Sequence, residues 1–254
     1  MIVLNENDWA AEMIQARSLG KKPYETLCRV AKYYADKMCR SKREVRKMMD
    51  EFLLSCDPTA SLPKWSDTID HAVTRAFKYD AIEMDKIDIS VNEIKTIEGL
   101  DGRQIQRLAF TLLCLSKYWD YVNPNGDHWV NSKDSDIMRM ANVNTSIKRQ
   151  SLMYYNLREL GLIQFSKKVD NTNVRVLFQE DGDTVLSITD LRNLGYQYLM
   201  YRGEPYFVCE NCGLVTKKKN TAGRNPRYCT ECANKIRLQN NINSVMNCRN
   251  RQKK

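Results

Sequence analysis

The chain has little of what common catalysts need. Its 254 residues include two histidines, His71 and His128, far apart and each among ordinary helix or loop residues. A histidine acid or base needs an orienting partner, so a structural role is the simpler reading of both. The ten glycines are too scattered for a phosphate-cradling loop, and neither Gly-x-Ser-x-Gly nor His-Glu-x-x-His occurs. A protein that is not an enzyme and takes no small-molecule substrate is expected, with carboxylates scattered through residues 1–130 the remaining catalytic possibility. Long apolar runs are missing too: no window approaches 18 consecutive apolar residues, and MIVLNENDW has no basic stretch followed by an apolar one. Neither a membrane span nor a secretory leader is expected, which points to a cytoplasmic protein. Apolar residues at 43% still suffice for a sizeable core.

A net excess of either charge is absent from most of the chain. Residues 200–254 hold 12 Lys or Arg against three acids, Glu204, Glu210 and Glu231, leaving 28 of each sign in residues 1–199. The whole excess of +9 therefore sits at one end. Such a segment suits a polyanionic partner, and a merely solubilising tail is the alternative.

What is present is mostly helical periodicity. Tyr24, Leu27, Cys28, Ala31, Tyr34, Ala35 and Met38 recur at three-and-four spacing behind Pro23, the signature of an amphipathic helix with Pro in its first turn. Ser41 and Glu44 form a capping-box pair ahead of Val45, Met48, Met49, Phe52, Leu53 and Cys56, a helix closed by Pro58. A third helix spans 66–79, and a weaker one at 8–19 stops at Gly20. Together they predict a helical bundle over 1–98. Residues 80–100 are acidic and poorly periodic, and read as a linker rather than as metal-binding carboxylates at Asp80, Glu83, Asp85 and Asp88.

A long helix follows Gly102, with Ile105, Leu108, Ala109, Leu112, Leu115 and Trp119 on one face and a turn at 123–126. Two shorter helices are predicted over 132–141 and 145–160, separated by Asn142, Val143 and Asn144, and Gly161 ends the second. Alternating runs at 162–168 and 174–179 flank Asp170, Asn171, Thr172 and Asn173, which is hairpin chemistry.

Long helix, short helix, tight turn, third helix and hairpin resemble a winged helix-turn-helix, and LRELGLI at 157–163 carries most of the likeness. In that family the leucines enter the core, the glycine closes the helix and the chain turns into the wing. The resemblance implies that the third helix enters the major groove with Asn144, Thr145, Ser146, Lys148, Arg149 and Gln150. Arg149 would offer a fork to guanine, Gln150 or Asn144 an amide to adenine, and Lys148 a cation to phosphate. Lys167, Lys168 and Arg175 would be the wing's cations. Winged helices also serve as protein-binding modules, which would leave these side chains a solvated face. Tyr154 and Tyr155 suit either the core or base stacking.

Cys209, Cys212, Cys229 and Cys232 form two Cys-x-x-Cys pairs separated by 16 residues, a zinc-site spacing. Four thiolates leave no open position, so one structural zinc ion is expected. A redox role needs a βαβ context that is missing. The segment resembles a zinc ribbon, with 206–208 and 214–216 as strands around Gly213, held together mainly by its ion. The other cysteines, Cys28, Cys39, Cys56, Cys114 and Cys248, lack partners at ligand spacing, and four lie in helical patterns. Lys217, Lys218, Lys219, Arg224 and Arg227 lie between the ligands, where they can meet phosphates, and the Asn-rich tail beyond Ala233 shows weak periodicity and is expected to fray without a partner.

The fold class is therefore mainly α: a helical bundle (1–98), a winged helix-turn-helix with a β-hairpin wing (99–183), a connecting helix (184–203), and a basic zinc ribbon with its tail (204–254). The combination is similar to DNA-binding proteins of bacteria or phages that organise replication or regulate transcription, which places it in bacterial cytoplasm or nucleoid. No family resemblance covers residues 1–100. The resemblance implies duplex DNA as partner, without catalysis or membrane contact, and residues 1–98 as a surface for self-association or recruitment. An adaptor or inhibitor docking on RNA polymerase or another nucleoprotein complex is the other reading. RNA binding is a third, with Tyr201, Tyr206, Phe207 and Tyr228 as stacking residues.

Overall fold

Asn5 opens the first helix of the computed structural model, which describes residues 2–38, 40–167, 173–218 and 226–252: its side-chain oxygen accepts the N–H groups of Asn7 and Asp8, both at 3.0 Å. The helix, α1 (Glu6–Gln15), ends before Gly20, at Arg17 in a left-handed conformation. Then come α2 (Pro23–Asp36), α3 (Lys42–Cys56) and α4 (Leu62–Ala76). Ser41 and Glu44 form the capping box that their spacing predicts. Leu27, Val30 and Ala31 of α2 are fully buried with Val45, Met49 and Leu53 of α3 and Ile69 and Ala72 of α4. These elements make one of two units, residues 1–87 and 88–254.

The second unit begins inside the stretch read as a linker. Residues 80–100 contain β1 (Ile87–Ser90) and α5 (Val91–Glu98), with Ile89, Ile94 and Ile97 almost wholly buried. The acidic composition concealed this because one acid is internal: Glu93 is fully buried, closes a capping box on Ser90 and pairs with Lys117 at 2.9 Å. At the centre stands α6 (Arg103–Val122). Its expected face is buried except for the half-buried Trp119, and Phe110, Leu113, Cys114 and Tyr118 are buried too, because other elements cover the remaining sides.

After α6 come β2 (Trp129–Val130), α7 (Asp134–Met140), α8 (Ile147–Glu159), β3 (Ile163–Phe165) and β4 (Val174–Val176). The three strands form an antiparallel sheet in the order β2-β4-β3, with Trp129 opposite Arg175 and Gln164 opposite Arg175 on the other side. A two-residue β2 is too short for its alternation to be legible. Asn142 makes the turn between α7 and α8 at φ +54°, Ser146 caps α8, and Gly161 ends its C-terminal turn at φ +71°.

Residues 184–203, expected as one connecting helix, are instead β5 (Thr184–Ile188), paired with β1, and α9 (Leu194–Tyr201). The β-branched Thr184, Val185 and Ile188 favour the strand. The chain closes with β6 (Tyr206–Val208), antiparallel to β7 (Val215–Lys217), and α10 (Thr230–Gln252). The tail expected to fray is thus a helix, started at the second cysteine pair, with Leu238, Ile242 and Val245 exposed. Among the described residues no helix is long and apolar enough to cross a membrane.

Candidate functional site

The four cysteines converge. Cys209 follows β6, Cys212 stands beside Gly213, whose φ of +69° turns the chain back toward β7, Cys229 precedes α10, and Cys232 lies in its first turn. Their sulfurs lie within 4.8 Å of one another, and Cys212 Sγ and Cys229 Sγ are 3.8 Å apart. A tetrahedral ion with metal–sulfur bonds of about 2.3 Å requires sulfur–sulfur edges of about 3.8 Å, so the cluster has dimensions that can hold a metal ion. Cys209, Cys229 and Cys232 are buried, with Tyr228 packed against them.

The donors around the cluster suit anionic sulfur. The Cys229 N–H donates to Cys209 Sγ at 3.2 Å, the Cys232 N–H to Cys229 Sγ at 3.5 Å, and the Asn211 side-chain amide to Cys232 Sγ at 3.3 Å. The first turn of α10 adds a positive helix end. Desolvation pushes the Cys209 thiol up, but backbone N–H groups of Cys229, Cys212 and Asn211 outweigh it and bring it down to about 6. Cys212 is pushed up to about 12, by desolvation first and then by its three thiol neighbours. Four adjacent thiols cannot all ionise unaided, and a divalent cation removes that repulsion.

The β6–β7 hairpin and its cysteine cluster are fastened to the rest of the second unit by residues with no motif of their own. Arg192 Nη2 donates to the Cys212 carbonyl at 2.7 Å, Asn193 Nδ2 donates to the Val215 carbonyl at 3.0 Å, and the Tyr196 and Tyr206 rings lie 4.8 Å apart. Asn142 donates to Asn193 Oδ1 at 3.1 Å, accepts the Tyr196 N–H at 3.1 Å, and through its carbonyl accepts Arg107 Nη1 at 2.9 Å. A chain of hydrogen bonds thus joins α6, the α7–α8 turn, the start of α9 and β7. Such partners are set by tertiary packing and leave no spacing to find.

The other candidates divide. Asn144, Ser146, Lys148 and Arg149 are exposed at the start of α8, with Thr145 half-buried. Ser146 Oγ accepts the Arg149 N–H at 3.4 Å, and Gln150 Nε2 donates to the Thr145 carbonyl at 2.9 Å, so the amide expected to read adenine is engaged locally. Lys167 is exposed just beyond β3. Arg175 on β4 donates from Nε to the Asp127 carbonyl at 3.1 Å and pairs with the Asp127 carboxylate. Lys217 is exposed and Lys218 half-buried, while Arg227 is held by both oxygens of Glu210 at 2.9 and 2.8 Å. Lys168, Lys219 and Arg224 lie outside the described residues. Tyr154 is buried, with its hydroxyl 3.5 Å from Asp134, whereas Tyr155 faces outward. His128 Nδ1 lies 2.6 Å from Asp120, whose carboxylate also accepts Gln179 Nε2 at 3.0 Å, so this histidine has a partner eight residues away.

Comparison with protein-family models, with curated proteins and with solved structures finds no match to this chain.

Proposed function

We propose that the chain is a non-catalytic, zinc-containing DNA-binding protein in which a winged helix-turn-helix, centred on α6, α7, α8 and the β2-β4-β3 sheet, contacts duplex DNA beside a basic zinc ribbon. The observation that carries this is the element order: helix, short strand, short helix, turn, helix and hairpin, the order of a winged helix. The exposed cations Lys148, Arg149, Lys167 and Lys217 support it. Zinc is the ion that an all-thiolate set of four selects, and it makes the ribbon a staple rather than a reaction centre. A role in replication initiation or transcription regulation in bacterial cytoplasm, or in a phage-infected cell, accords with this reading.

Binding of the zinc-loaded full chain to a random-sequence duplex across a salt series tests it. With six to ten phosphate contacts, affinity falls by roughly three to five orders of magnitude between about 50 and 200 mM salt. Lys148→Ala with Arg149→Ala reduces the logarithmic slope by about two. Absence of duplex binding at low salt refutes the reading and favours an adaptor that docks on protein.

A further inference from the structure

A groove of about 840 Å³ opens between α8, the start of α7 and the β3–β4 hairpin. Its walls include Lys148, Arg149, Leu152, Tyr155 and Phe165, all exposed to solvent. The outward side of α8 is unusually apolar for a helix that reads base edges. Ile147 is 80% exposed, Leu152 55% and Tyr155 47%. Arg158 adds a third planar group, its guanidinium 4.7 Å from the Tyr155 ring and 5.8 Å from that of Phe165. Tyr155, Arg158 and Phe165 thus form a strip of flat groups leading from helix to hairpin, with Lys148 and Arg149 one to two turns nearer the start of α8.

Base edges and base faces ask for different walls. Edges need free amides and hydroxyls, whereas faces need aromatic or guanidinium planes beside cations that follow the backbone. Three of the polar side chains on this stretch are engaged locally: Gln150 with the Thr145 carbonyl, Ser151 with the Ile147 carbonyl at 3.1 Å, and Ser146 with the helix cap, while Asn144 and Arg149 stay exposed. The planes and the cations face outward. We propose that this groove binds single-stranded DNA, laying unstacked bases on Tyr155 and Phe165 while Lys148 and Arg149 hold phosphates. The charge balance still favours a polyanion: Lys148, Arg149 and Arg158 stand against the exposed Asp134, which accepts the Tyr154 hydroxyl at 3.5 Å, and Glu159, which is paired with Arg158 at 2.8 Å. DNA rather than RNA is chosen because the lining of Leu152, Tyr155 and Phe165 is apolar and suits thymine methyl groups. This rests on the proposed DNA-binding function and extends it to a second form of the polymer.

The test is fluorescence-anisotropy binding of the full chain to labelled (dT)20, with (rU)20 and a 20-base-pair duplex as separate arms. Wild-type protein is expected to bind (dT)20 at least as tightly as (rU)20. Tyr155→Ala weakens (dT)20 binding by about tenfold, the size of losing one base stack, and Tyr155→Trp restores it. Phe165→Leu, which keeps an apolar side chain on β3, lowers affinity in the same direction, and ultraviolet cross-linking of bound (dT)20 maps to α8 or β3. Binding of (dT)20 that ignores both substitutions overturns the proposal, as does preference for (rU)20. Duplex binding without (dT)20 binding overturns the groove assignment alone, and binding to neither polymer overturns the DNA-binding function with it. In that last case an apolar protein segment is the occupant that the groove would accept.

Discussion

Gly195→Ala sets two physical effects against each other, and the packing of α9 decides which wins. Gly195 lies in the first turn of α9, and its φ is not among the positive values, so alanine is acceptable to the backbone. On helix propensity alone the substitution stabilises by about 0.5–1 kcal/mol. A Cβ at this position, however, falls 2.0 Å from the Ala141 carbonyl oxygen and 2.6 Å from its carbon. Both are backbone atoms at the end of α7, so no side-chain rotation relieves the clash. Restoring ordinary contact near 3.4 Å moves α9 by roughly 1.4 Å. That shift strains the Tyr196–Asn142 and Asn142–Asn193 hydrogen bonds and lifts the fully buried Tyr198 from Phe110, whose ring centroid is 5.3 Å away. Overpacking of this kind costs about 1–3 kcal/mol, and weakening these partly buried hydrogen bonds adds about 1 kcal/mol or more. Net destabilisation of about 3 kcal/mol lowers the melting temperature of a unit this size by about 6–12 °C. Thermal unfolding of the zinc-loaded full chain, with hydrogen exchange to locate the loosened amides, measures it. An unchanged or raised melting temperature would refute the close approach of α9 to the α7–α8 turn.

Two further predictions test other parts of the molecule. Cys229→Ser removes a ligand and the sulfur that accepts from Cys232, so bound zinc should drop from about one ion per chain to none, with exchange protection lost in β6, β7 and the start of α10 but retained in α2; full zinc occupancy in the variant would contradict the four-thiolate site. Glu6 is buried between Lys32 at 2.7 Å and Arg29 at 3.2 Å and accepts the Ile82 N–H. Desolvation pushes its carboxyl up, but Lys32, the Ile82 N–H and Arg29 together hold it below the usual carboxylate range. Its stabilisation is therefore present above the unfolded carboxyl's ordinary value near 4.5 and is lost as pH falls through the lower folded value. Glu6→Gln should cost about 3 kcal/mol at pH 7 by leaving two partly buried cations short of a counter-charge, and should flatten the acid limb of the first unit's stability curve in urea titrations. A variant as acid-sensitive as the wild type would remove Glu6 from that role.

What the sequence by itself determined was whatever is encoded in short-range spacing. Three-and-four periodicity located α2, α3 and α6, Ser41 with Glu44 marked a cap, Gly161 marked a helix end, and each Cys-x-x-Cys pair marked half of a cluster that could hold a metal ion, because each depends on neighbours within one or two turns. The tertiary structure decided whatever depends on distant partners. The linker expected over 80–100 became β1 and α5 because β5, far along the chain, supplies the pairing strand and Lys117 neutralises Glu93. The connecting helix became a strand and a shorter helix for the same reason. The outward side chains of α8 carry the sharpest case: Gln150 and Tyr155 both lay within the helix read from sequence, where the winged-helix resemblance made Gln150 or Asn144 the reader of adenine and left Tyr155 between core and base stacking. Only the folded chain turns Gln150 to its own backbone and leaves Tyr155 beside Arg158 and Phe165 at the mouth of a groove. Periodicity reports which residues share a face, but what that face meets is set by the rest of the molecule.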